Sequence, residues 1–201
     1  ARVCPKKIVV SDDIRSLSYS NLQYNGSNLA TFFKKYKILK GDRVALLSFN
    51  RIEFAEILYA TSKLGVIIMP INFRLSKEEI ASIVKDANPK FFLYEKAFLK
   101  IINYLVKNNF LDKNMTLCIN TKNYFKLLKK TKNTYPLNLK NSKKNDNWSL
   151  MYTSGTTGNP KGVIRNHEGY YHLSSITSIE LKIRKEDKAL LVMPLCHANS
   201  F

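Results

Sequence analysis

Twelve residues, Tyr152 to Val163, read Tyr-Thr-Ser-Gly-Thr-Thr-Gly-Asn-Pro-Lys-Gly-Val. Four hydroxyl side chains (Thr153, Ser154, Thr156, Thr157) alternate with Gly155 and Gly158, and Lys161 stands just ahead of Gly162. Glycines let successive backbone N–H groups turn inward as a concave nest, hydroxyls add donors, and a lysine adds a mobile point charge. Such a loop suits a polyphosphate. The spacing departs from a Walker A loop, where Ser or Thr follows the Gly-Lys pair; here Lys161 precedes Gly162 and Val163 follows. No GxGxxG occurs, so a dinucleotide site has no support. The plain alternative is a Ser/Thr/Gly linker between strands, against which stand the fixed order of residue types and the stiffening Pro160.

Few other side chains invite chemistry. His197 follows the apolar run Ala189 to Met193 and the punctuating Pro194, so it is expected at a strand end or in the loop beyond, where α/β sheets present ligands. Cys196 is its neighbour, but without a third, orienting partner a Cys/His nucleophile is not expected. His167 and His172 fall near the start of the helix after the motif without comparable support, and Tyr170 and Tyr171 read as packing residues. Cys4, Cys118 and Cys196 are odd in number, widely spaced and without a metal-ligand pattern, which fits a reducing compartment and a cytoplasmic location.

The elements that must position the loop alternate. Tyr19 to Tyr36 places Leu22, Leu29, Phe32 and Phe33 on one helical face, and Gly41-Asp42 punctuates before an apolar strand, Val44 to Phe49. Asn50 then reads as the N-cap of a helix over Arg51 to Leu64, with Gly65 as its C′ residue, and Val66 to Ile71 as a buried strand. Ser76 and Glu79 form a capping box for a helix to about Asp86 that Asn88-Pro89 ends, before the strand Phe91 to Tyr94. A helix near Lys96 to Lys107 and a strand Met115 to Ile119 repeat the pattern. The segment around Leu128 to Asp146 loses periodicity and reads as a surface excursion. Helices alternating with short, continuously apolar strands imply an α/β fold: a mainly parallel sheet flanked by helices on both faces.

The chain has 201 residues and a formal charge of +18, from 33 Lys+Arg against 15 Asp+Glu. This admits nucleic acid or an anionic bilayer as a partner. From Lys96 to Asn145, however, 12 lysines and 10 asparagines stand beside a single acid, Asp112. That is a solvated-surface bias away from the loop, and no nucleic-acid partner is expected. The longest apolar stretch, around Phe54 to Ile71, is interrupted by Glu56 and Lys63, short of the ~20 apolar residues of a membrane span. The first residues lack the order of a signal peptide.

The string YTSGTTGNPKGV resembles the phosphate-binding signature of the adenylate-forming enzymes: acyl-CoA synthetases, luciferases and peptide-synthetase adenylation domains. Upstream, Lys40 to Ile80 is similar to the first part of that family's N-terminal domain, and Met193 to Phe201 resembles its next motif. Thr156, together with PLCHANS, is most similar to medium- or long-chain fatty acyl-CoA synthetases. The resemblance implies activation of a carboxylic acid by ATP to an acyl-adenylate, then transfer to coenzyme A. It further implies that Thr153, Ser154, Gly155, Thr156, Thr157 and Gly158 cradle phosphate, that Thr153 contacts Mg²⁺, that Lys161 neutralises the β- and γ-phosphates, and that His197 lines the entrance to the acid pocket. The partners implied are the acid, ATP and coenzyme A. An adenylating relative with a carrier-protein acceptor or luciferase-like chemistry, and a non-catalytic nucleotide- or nucleic-acid-binding piece, are the alternatives.

The family's adenine, ribose, hinge and catalytic-lysine motifs have no counterpart in these residues. Residues 1–201 are therefore expected to form a partial N-terminal domain, cut at both ends, without the C-terminal domain and inactive alone.

Overall fold

The computed structural model describes residues 3–130, 143–153 and 160–197. The chain opens with an antiparallel pair, β1 (Ile8–Ser11) and β2 (Ser16–Ser18). Asp12 Oδ1 closes their turn by accepting from the backbone N–H groups of Ile14 and Arg15, each at 2.9 Å. Ser18 then caps α1 (Tyr19–Lys35), its hydroxyl accepting from Asn21 N.

Next come β3 (Arg43–Leu47), α2 (Ile52–Leu64), β4 (Ile67–Pro70), α3 (Lys77–Ala87), β5 (Phe91–Tyr94), α4 (Leu99–Lys107), β6 (Thr116–Cys118) and α5 (Lys122–Lys130). After residue 143 follow β7 (Asn147–Thr153), β8 (Lys161–Asn166) and α6 (His167–Glu180). The six-stranded sheet runs β6-β5-β3-β4-β7-β8. All its neighbours are parallel except β7 and β8. The expected α/β class and flanking helices are what the fold has.

Period-2 alternation sends each strand's residues to two cores. On one face Val44, Leu46, Ile68, Phe91 and Leu93 meet Leu29 and Phe33 of α1, Phe54 and Ile57 of α2, and Tyr124 and Leu128 of α5. On the other, Ala45, Leu47, Met69, Phe92 and Leu150 meet Ile80, Ile83 and Val84 of α3 and Ile102 and Leu105 of α4. Local signals hold where expected. Gly65 ends α2 in the left-handed region at φ 66, which a side chain would resist, and both bonds of the Ser76/Glu79 box form.

Four expectations need correction. Asn50 does not cap α2: Arg51 takes the N-cap position without a side-chain bond, because the Asn50 carboxamide is engaged elsewhere. Leu128 belongs to the core through α5, whose Tyr124 and Leu128 share a face at the i,i+4 spacing; residues 131–142 of the expected excursion lie outside the described residues. Ala189 to Met193 forms no strand and is exposed, Leu190 at 85% and Val192 at 78%, because no strand lies alongside it among the described residues. Tyr171 is 69% exposed, whereas Tyr170 does pack, edge-on to Trp148. Among the described residues no helix is long and apolar enough to cross a membrane.

Candidate phosphate-loop site

Because β3 to β7 are parallel, their carboxyl ends form one edge of the sheet, and β7 delivers Thr153 there. β8 returns antiparallel, with Thr153 opposite Lys161 and Tyr152 opposite Gly162. The glycine- and hydroxyl-rich segment thus lies between two feet, Thr153 and Lys161, that are cross-strand partners. Both feet are exposed, and the Thr153 hydroxyl reaches the Lys161 carbonyl at 3.5 Å. Ser154, Gly155, Thr156, Thr157 and Gly158 lie outside the described residues.

Beside Gly162 the approach to the loop leaves little room. A Cβ on Gly162 would stand 2.9 Å from Leu150 Cδ1 and 3.2 Å from Tyr152 Cζ, so the position excludes a side chain unless its neighbours move. Tyr152 donates its hydroxyl to Asp86 Oδ2 of α3. Burial, and then that carboxylate, push the phenol well above its ordinary range, so Tyr152 keeps its proton and acts as a strut.

A second part of the same edge lies beyond β3, two strands along from β7 with β4 between them, and so about 10 Å across the sheet. The Asn50 side chain donates from Nδ2 to the Met193 carbonyl (2.9 Å) and accepts at Oδ1 from Leu195 N (2.8 Å). Leu195 packs against the core, Cys196 is buried, and His197 N closes a turn on the Pro194 carbonyl at 3.0 Å. His197, half-buried, therefore stands in a loop at the carboxyl edge, without a preceding strand. Burial pushes the Cys196 thiol up, leaving it protonated and unsuited to nucleophilic work.

Beneath the edge runs a chain of charges that no motif announces. Glu95 Oε2 accepts from Ser48 Oγ (3.3 Å) and Phe49 N (3.2 Å), and its Oε1 faces Arg51 NH1 at 3.4 Å. Arg51 Nε also holds Glu53 (3.2 Å), which Arg15 shares with Glu56 at 3.4 and 3.1 Å. Glu56 in turn accepts from Asn25 Nδ2 (2.7 Å) and the Tyr124 hydroxyl (2.8 Å). Burial, followed by the Glu56 charge, raises the Tyr124 phenol well above its ordinary value, so it remains a donor. Glu53 and Glu56 are fully buried; in the sequence they appear only as interruptions of an apolar run, and only helical spacing from Arg51 could have hinted at them.

His167 stacks on Trp148 at 5.2 Å and 21°, and burial holds its imidazole below the ordinary value. Neither it nor His172, which lies 4.0 Å from Glu168, reaches toward the loop's feet in any contact among the described residues. For Mg²⁺, the Thr153 hydroxyl is a hard oxygen donor in an exposed position. A single neutral oxygen suits an ion that keeps most of its shell as water and phosphate oxygens, so the residue fits. Among the described residues no three His, Cys, Asp or Glu side chains gather around a metal position.

Comparison with known proteins bears on this arrangement. A family model described as AMP-binding enzyme matches residues 1–201. The long-chain-fatty-acid–CoA ligase FadD13 of Mycobacterium tuberculosis is 32% identical over 187 residues, covering 93% of this chain and 37% of that protein. The 2-succinylbenzoate–CoA ligase of Oceanobacillus iheyensis is 27% identical over 195 residues, covering 96% and 38%. Among solved structures, the inhibitor-bound N-terminal domain of FACL13 from M. tuberculosis superposes with a TM-score of 0.83 at 27% identity, over 98% of this chain and 49% of that one. MenE of Bacillus subtilis, in complex with the acyl-adenylate OSB-AMP, does so at 0.79 and 25%, over 98% and 48%. The chain spans between a third and two-fifths of the length of the curated relatives it matches.

Proposed function

Since the chain belongs to the AMP-binding enzyme family, we propose that it carries the phosphate-binding portion of an ATP-dependent acid–thiol ligase acting on a fatty acid. The carboxylate attacks the α-phosphorus of ATP and pyrophosphate leaves; the thiol of coenzyme A then attacks the acyl carbon and AMP leaves. The observation that carries this reading is the antiparallel β7–β8 pair at the carboxyl edge of the sheet, with Thr153 opposite Lys161.

Most of the charge to be stabilised leaves with pyrophosphate, so fixed donors and cations near the phosphates lower the barrier. In this reading Lys161 sets its ammonium against the β- and γ-phosphates from the first residue of β8, and Thr153 offers its hydroxyl from the last residue of β7. Ser154, Gly155, Thr156, Thr157 and Gly158, between them, supply the remaining phosphate donors. Mg²⁺, when bound, neutralises phosphate oxygens, with Thr153 as its contact in this chain. His197, seated beyond β3, lines the acid side. Similarity to FadD13 supports a fatty acid among the acids that such ligases take. Residues 1–201 act as the N-terminal part of a longer enzyme; the remaining parts of the site, including that for coenzyme A, come from beyond them.

ATP–pyrophosphate exchange with a panel of fatty acids tests the reading in the full-length enzyme. Lys161→Ala is expected to slow exchange by about 10²–10³-fold, the scale of losing one transition-state donor, with the fold intact. An unchanged rate refutes the assignment. Acyl-AMP formation by the 201 residues alone would refute their role as a part.

A further inference from the structure

The carboxamide of Asn50 stands at a strand-to-helix junction, where such a residue ordinarily caps the helix, yet it gives α2 no bond. It spends both of its polar atoms on the main chain some 140 residues later: Nδ2 on the Met193 carbonyl (2.9 Å, with Leu191 O at 3.5 Å) and Oδ1 on Leu195 N (2.8 Å). We propose that Asn50 is a positioning residue for the acid side of the site, setting the turn from Pro194 to His197 against the carboxyl edge of the sheet. The proposal rests on the ligase reading for the role of His197, but the clamp itself rests on geometry alone.

The clamp is solvent-exposed, and three features give it a positioning role. Its base is held from both sides: Glu95 takes the Ser48 hydroxyl and the Phe49 N–H, Arg51 binds Glu95, and the Phe49 ring lies 4.9 Å from both Phe73 and Phe98. Asn50 therefore projects from a stiff four-residue bracket. The donor and acceptor of one amide plane engage two residues of the same segment, which mimics a rung of a β-ladder. Asp would lack the donor, and Ala would lack both groups. Finally, the clamped segment follows an exposed stretch without helix or strand, so its placement depends on contacts made at 193–196: the clamp, Leu195 on the core, and buried Cys196. His197 is the next residue, its own N–H tied to Pro194 O.

Loss of the clamp should loosen His197 while leaving Thr153 and Lys161, on the β7–β8 ladder, in place. The test uses Asn50→Ala and the isosteric Asn50→Asp in the full-length enzyme. Hydrogen exchange read by mass spectrometry is expected to quicken about 3–10-fold at residues 193–197, the effect of one net hydrogen bond, with α1 and α2 unchanged. In ATP–pyrophosphate exchange the KM for the acid should rise by a similar factor while that for ATP stays within about twofold. Unchanged amide exchange at 193–197 overturns the clamp, and a rise in the KM for ATP equal to that for the acid overturns its confinement to the acid side. Absence of pyrophosphate exchange in the unsubstituted enzyme with every acid sinks the ligase reading instead, since the hydrogen-exchange result stands without it.

Discussion

Replacing Arg15 by methionine asks whether the buried charge chain holds the helical face of the sheet together. The guanidinium stands between Glu53 (3.4 Å) and Glu56 (3.1 Å), whose side chains have no solvent exposure, while its own is 24% exposed. Its removal leaves Glu53 with Arg51, and leaves Glu56 with two neutral donors, Asn25 and Tyr124. Stripping one partner from a fully buried pair costs about 3–5 kcal/mol, because a charge stays behind without its counter-ion. Arg15 keeps some contact with water, which discounts this to about 2–4 kcal/mol, a sizeable part of the roughly 5–15 kcal/mol that holds a domain folded. Urea unfolding followed by Trp148 emission measures it as a lower midpoint at constant slope. The loss should persist in about 0.5 M salt, because buried pairs are poorly screened, and Glu56→Met in the Arg15→Met background should recover at least half of it. A loss below about 0.5 kcal/mol, or one that disappears with salt, would refute the reasoning.

Two further outcomes are expected. His167 has its folded-state value depressed by burial, so the unfolded chain takes up the proton first; stability should fall as pH drops through the ordinary histidine range near 6.5, and His167→Phe should flatten that dependence in thermal melts from pH 5 to 8. Gly162→Ala should crowd Leu150 and Tyr152, cost about 1–3 kcal/mol in urea unfolding, and raise the KM for ATP more than that for the acid, because the strain falls on the ladder that carries the loop.

The parts of this fold that the sequence discloses are those decided within a few residues. The capping box at Ser76, the left-handed end at Gly65 and the apolar strands β3 to β5 each depend on neighbours in the chain. The order of residue types in the candidate phosphate loop is local in the same sense. Long-range competition hides the rest. Asn50 has the right type and place for a cap, and a segment more than a hundred residues away outbids the helix for it. In α5, Tyr124 and Leu128 keep a helical spacing that the surrounding lysines and asparagines obscure. Glu53 and Glu56 look like solvated charges on an apolar helix; only the approach of Arg15 and Arg51 makes their burial tolerable. Ala189 to Met193 misleads in the opposite sense, since apolar residues become a strand only where another strand lies alongside.

The pairing of β4 with β7 sets a timetable for synthesis. Ile68 meets Ser149 about 80 residues later in the chain, so at ~5–20 residues per second the apolar edge of β4 leaves the ribosome on the order of 4–16 s before its partner exists. The β7–β8 hairpin, by contrast, closes between neighbours within microseconds of being made. The feet of the candidate phosphate loop, Thr153 and Lys161, are thus paired almost at once, while the sheet that must receive them has been waiting with Ile67, Ile68 and Met69 along an open edge. During that interval the unpaired edge of β4 is open to chaperones and to aggregation, and faster decoding between β4 and β7 would shorten it.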